Sequence, residues 1–238
     1  MNRCPPNAGI LIAIRFNLPT LRISKGDSFH DSDVLALVEF LLHNDNCNNM
    51  LRHVRRIDLN AATAKRFERK MKGFGSHGAF TISKLLQKSE FIEELFISRN
   101  RIGPYGAAAI FLAASKNSTL TTIIMRKCQI SEQGALAFRE HILKQRSRSY
   151  KMCRLKEIDL SCNRLGHIGI KIIDDCMKAR NKSEGEEIKI DLDGNLPFQE
   201  ILNGVTHGLG LLVVFVGETI NCILILFVNI LVCSINLF

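Results

Sequence analysis

One pattern recurs along this chain: an apolar residue, two residues, an apolar one, one residue, an apolar one, two residues, then Asn or Cys. Its clearest copies are Ile92-x-x-Leu95-x-Ile97-x-x-Asn100, Leu120-x-x-Ile123-x-Met125-x-x-Cys128 and Leu155-x-x-Ile158-x-Leu160-x-x-Asn163. Looser copies are Leu18-x-x-Leu21-x-Ile23, Val54-x-x-Ile57-x-Leu59 and a late Ile190-x-Leu192-x-x-Asn195. The starts at 18, 54, 92, 120 and 155 lie 36, 38, 28 and 35 residues apart. A unit this short cannot bury its apolar side alone, so it must stack on its neighbours. Alternate residues of the strand point inward. A buried Asn or Cys can then satisfy backbone groups where the chain turns away.

Each strong copy continues alike, through Ile102-Gly103-Pro-Tyr-Gly106-Ala107, Ile130-Ser-Glu-Gln-Gly134-Ala135 and Leu165-Gly166-His-Ile-Gly169-Ile. Glycine supplies turn conformations, and the apolar i, i+3, i+4 spacing that follows predicts a helix facing the strand layer. A strand and a helix in a unit of about 28 residues is leucine-rich-repeat arithmetic. With its Ile-Gly-x-x-Gly-Ala turn, the stretch 18–195 resembles the ribonuclease-inhibitor type of leucine-rich repeat. The resemblance implies an α/β solenoid, a horseshoe of about five to six repeats with a parallel sheet on its concave side and helices outside. A competing motif, Gly73-Phe-Gly75-Ser-His-Gly78, matches the dinucleotide-binding GxGxxG. That reading needs a strand immediately before it, whereas Lys65–Lys72 looks helical and basic. Gly75-x-x-Gly78-Ala79 instead falls where Gly103-x-x-Gly106-Ala107 does, at the start of a repeat helix.

Solenoids of this kind use the concave sheet face for partners. Its outward positions read as Arg56, Asp58 and Asn60; Glu94, Phe96, Ser98 and Arg99; Thr122, Ile124, Arg126 and Lys127; Glu157, Asp159 and Ser161; and Lys189, Asp191 and Asp193. Phe96 beside Ile124, flanked by Arg99 and Arg126, is the composition of a protein-binding hot spot. Isolated apolar residues are also ordinary on a sheet surface. The acids Glu157, Asp159, Asp191 and Asp193 gather toward one end of that face, without a Gly-punctuated loop of oxygen ligands, and read as solvated strand positions. Two basic stretches, Lys144–Lys156 and Lys65–Lys72, read first as solvated charge and next as contacts for anionic lipid. Nucleic acid is disfavoured, since no recognition motif accompanies the charge, Trp is absent and Tyr occurs twice.

Composition divides the chain in two. Residues 1–195 carry 32 Lys+Arg against 21 Asp+Glu, a net +11, whereas residues 196–238 have no Lys or Arg and two acids, Glu200 and Glu218. From Leu209 to Phe238, 22 of 30 residues are apolar or Cys. A helix of that length spans about 45 Å against roughly 30 Å of hydrocarbon, so the expectation is one C-terminal transmembrane helix. The positive charge ahead of it places residues 1–195 on the cytosolic side. Eight scattered cysteines without a CxxC pair suit a reducing compartment.

Before the apolar run stands Glu200-x-x-Asn203-x-x-Thr206-His207-Gly-x-Gly. The string resembles the start of the first transmembrane helix in the hemolysin III / progestin-and-adiponectin-receptor family, seven-helix membrane proteins, several with a zinc site. The resemblance covers Glu200–Val216 and implies roles at the membrane boundary for Glu200, Asn203, Thr206 and His207. The family's zinc-binding histidines lie on later helices, so no metal is expected in this chain, nor any other cofactor. No nucleophile–base pair, HExxH or P-loop occurs, and the expectation is a non-enzyme. The chain then reads as a leucine-rich-repeat interaction domain (1–195) tethered to a membrane by 196–238. The alternative is the truncated N-terminal part of a hemolysin III-like zinc-dependent membrane protein.

Overall fold

The computed structural model describes residues 18–22, 29–43, 53–61, 73–143, 154–184 and 188–195. Six strands of three residues each make one parallel sheet in sequence order: β1 (Thr20–Arg22), β2 (Arg56–Asp58), β3 (Glu94–Phe96), β4 (Thr122–Ile124), β5 (Glu157–Asp159) and β6 (Lys189–Asp191). Between successive strands stand α1 (Asp31–His43), α2 (Ser76–Lys88), α3 (Gly103–Lys116), α4 (Glu132–Phe138) and α5 (Gly166–Glu184). A π-helical turn, Arg139–Leu143, extends α4.

Pairing follows the sequence pattern. Leu21, Ile57, Leu95, Ile123, Ile158 and Ile190 form one line across the sheet, so the loose copies occupy the same register as the strong ones. The first five of these are at most 2% exposed. Beneath them pack Ile92, Leu120 and Leu155, then Ile97, Met125 and Leu160, against Ile110, Phe111, Phe138 and Ile173 from the helices. Each such side chain stabilises the stack by about 1.5–3 kcal/mol through removal from water. The Phe111 and Phe138 rings, from adjacent helices, meet edge to face with centroids 5.3 Å apart.

The Gly-Ala pairs set how closely successive helices approach. A Cβ on Gly106 would fall 2.9 Å from the Ala79 Cβ and 2.6 Å from Ile102 Cγ2, and one on Gly169 would lie 3.4 Å from the Glu132 Cα. Glycine is required for contact at Gly106, and at Gly169 a Cβ would be tight only against Leu165 Cβ at 3.1 Å, whereas Gly103 and Gly166 are required for conformation, with φ of 64° and 63°.

The Gly73–Gly78 motif also resolves as structure. Gly75 and Gly78 donate their N–H groups to Oδ1 of Asp31, at 2.7 and 2.8 Å. A carboxylate from the preceding repeat thus occupies the start of α2, where a dinucleotide site would hold phosphate.

Among the described residues no helix is long and apolar enough to cross a membrane. The span expected over 209–238 lies outside those residues, as do Glu200, Asn203, Thr206 and His207 and the basic stretch 65–72. Of the second basic stretch, Arg154 and Lys156 are described, and both are exposed.

Candidate functional site

Two arrays of side chains lie along the sheet, one inside and one facing out. The inner array begins where each strand ends. Arg99, Lys127, Cys162 and Gly194 all adopt positive φ, 63°, 56°, 55° and 69°. Each turns the next residue inward, and those residues are Asn100, Cys128, Asn163 and Asn195. The Asn100 amide donates to the carbonyls of Leu59 and Ile97, both at 2.9 Å, and its oxygen accepts from Phe74 N–H. Asn163 donates to Met125 and Leu160 and accepts from the N–H groups of Cys128 and Ile130. Asn195 donates to Leu160 and Leu192, both at 2.8 Å. Cys128 takes its place in this ladder with a thiol 3.2 Å from the Ile97 carbonyl. Burial pushes that thiol up to about 12, which leaves it protonated and without nucleophilic character at neutral pH.

The outer array is the candidate interaction surface. One row runs Arg22, Asp58, Phe96, Ile124, Asp159, Asp191 across the six strands, and a second runs Thr20, Arg56, Glu94, Thr122, Glu157, Lys189. Phe96 and Ile124 are register partners, each half-buried. The Arg56 guanidinium lies 3.8 Å from the centre of the Phe96 ring and also pairs with Glu94 at 3.3 Å. One face of the aromatic ring is therefore covered by a cation, an arrangement stabilised by cation–π attraction. Arg126 is exposed and Arg99 half-buried, both on the turns just past the apolar step.

Asp58 is only 6% exposed. Arg22 Nε sits 3.0 Å from one of its oxygens, while the other accepts the Asn60 side-chain amide at 2.8 Å. It shapes the surface from within and offers little of itself to a partner. Ser98 and Ser161 depart from the outward placement expected of them, at 8% and 1% exposed. The strands end two residues earlier, so these serines already belong to the inward turn. Ser98 accepts Arg126 N–H with its hydroxyl and donates its own N–H to Asn60 at 2.6 Å. Thr20 and Arg22, on the first strand, are surface positions absent from the outward set read in the sequence, and Arg22 is the one that pairs. Its signal was there, because the Leu18 and Val54 copies align Arg22 with Asp58.

At the far end Glu157 pairs with Lys189 at 3.3 Å. Asp159 and Asp191 each accept the N–H two residues on, Ser161 at 2.8 Å and Asp193 at 2.9 Å. Such turns use one carboxylate oxygen and leave the other. No group of three His, Cys, Asp or Glu side chains among the described residues is placed to hold a metal ion.

A family profile described as Leucine Rich repeat matches residues 116–138, the window from the last residue of α3 through β4 to the end of α4. The chain carries a leucine-rich-repeat segment. No curated protein sequence matches it. Among solved structures, "Leiomodin-1 Actin-Binding Site 2 (ABS2)" is similar over 75% of this chain and 87% of that one, with 15% identity and a TM-score of 0.48.

Proposed function

We propose that residues 18–195 form a non-catalytic protein-interaction module of the ribonuclease-inhibitor repeat type, and that its partner binds the outward face of the sheet. The observation that carries this reading is the Phe96–Ile124 step. Two large apolar side chains stand adjacent on an otherwise polar surface, with arginines at their border. Removing such a step from water on binding is favourable, and the surrounding charges supply orientation. Ile124→Glu places a charge at its centre without touching the buried Ile123. The expected outcome is loss of a retained partner by at least about tenfold, with the thermal midpoint of the chain unchanged. A set of retained proteins that is the same for the native chain and Ile124→Glu sinks the reading.

Attachment to a membrane through 209–238, with residues 1–195 on the cytosolic side, is a separate proposal supported by tail composition alone. Sedimentation with membranes after alkaline carbonate, abolished by deleting 209–238, is its expected result. Recovery of the whole chain in the supernatant counts against it.

A further inference from the structure

We infer that the partner of the sheet face is a protein segment presenting an apolar side chain and, about 10 Å from it, a lysine or arginine. This rests on the sheet-face reading above. The apolar side chain settles on Phe96 and Ile124, and the cation lies over β5 and β6.

The order of residues along one row carries the argument. From β1 to β6 that row reads Arg22, Asp58, Phe96, Ile124, Asp159, Asp191. Its first two members close on each other as an ion pair 3.0 Å apart. Its middle two are the apolar step. Its last two are carboxylates that have one oxygen bound to a backbone N–H and no described cation within ion-pair distance of the other. The one described lysine of β6, Lys189, is paired with Glu157 instead. Asp193 adds a further exposed acid beside them. A segment lying across the strands along this row therefore meets a neutralised end, an apolar centre and an open anionic end.

Strands lie about 4.8 Å apart, so Ile124 on β4 and Asp191 on β6 are separated by about 10 Å. Two turns of a helix rise by about 11 Å and match that interval. An acidic or apolar segment in the same place would face or desolvate two carboxylates without compensation, which selects against it. The bases Arg99, Arg126 and Lys127, which have no ion-pair partner among the described residues, sit on the turns beyond β3 and β4, off this row.

The test uses three alanine-rich helical peptides that carry a leucine and, two turns on, a lysine, a glutamine or a glutamate. Each is titrated into the full chain at low salt, with binding read from the NMR shifts of Phe96, Ile124, Asp159 and Asp191. The lysine peptide is expected to bind roughly threefold to tenfold more tightly than the glutamate peptide. The preference should vanish in the double variant Asp159→Asn/Asp191→Asn, which keeps an acceptor oxygen for Ser161 and Asp193 N–H and so keeps the turns. Equal binding of the three peptides, a preference for glutamate, or a lysine preference that survives in the double variant overturns the charge assignment. If no peptide shifts Phe96 or Ile124, the sheet-face reading itself fails.

Discussion

Asn163 shows how much one side chain does in this fold. Its amide closes two carbonyls and its oxygen closes two N–H groups, all buried. Asn163→Ala strands those four groups, and the expected cost is about 2–4 kcal/mol, read as a lowered urea midpoint of the full chain. Cys128→Asn is the informative companion. The ladder already holds Asn at the equivalent position in three copies, so this change should stay within about 1 kcal/mol of the native chain. A collapse on Cys128→Asn would mean that the ladder is not interchangeable. The Asn and Cys positions were legible from spacing alone. The left-handed residues before them were not, because only Gly194 advertises that conformation, while Arg99, Lys127 and Cys162 adopt it without a glycine. There the repeat geometry overrides local preference, at about 1–2 kcal/mol per residue. The burial of Ser98 and Ser161 was missed for the same reason: strict alternation was carried past the point where the strands stop.

At the level of elements, the helices owe their placement to contacts that local sequence does not show. Asp31 caps α2 across 44 and 47 residues of chain. Asp31→Ala removes the acceptor for two N–H groups, and a loss of about 0.5–2 kcal/mol is expected. Hydrogen exchange at the Gly75 and Gly78 amides should quicken, while exchange at Leu95 stays slow. Uniform quickening throughout the sheet would contradict a local cap. The glycines themselves were readable as the beginning of a helix. That an aspartate from the repeat before would fill the anion position was not, since nothing near Gly73–Gly78 in sequence points to residue 31. The short α4 and its π-helical extension were also out of reach, because the apolar spacing continues through Phe138 and Ile142, both buried, whichever helical pitch is used.

Across the whole repeat segment, each unit is held by its neighbours alone, which makes position in the stack decide the cost of damage. Leu95→Ala, in the third of six strands, opens a cavity between two flanking units and should cost about 2–5 kcal/mol. Ile190→Ala on β6 should cost clearly less, since its side chain is only partly buried. Paired urea melts measure the difference, and equal losses would argue against nearest-neighbour stacking. The period and its apolar positions made this architecture legible, down to register in the loose copies, because a stack tolerates variation everywhere except at the shared contacts. The surface was legible in composition but not in pairing, since Arg22–Asp58 and Arg56 over Phe96 join residues from different repeats. The same sharing has a consequence for how such a chain can change. The Ile97 carbonyl serves Asn100 and Cys128, and the Leu160 carbonyl serves Asn163 and Asn195. Each of these carbonyls is thus shared by two successive units, so removal of one unit takes away half of a contact that its neighbour also uses, and the loops between ladder residues can vary in length without touching it.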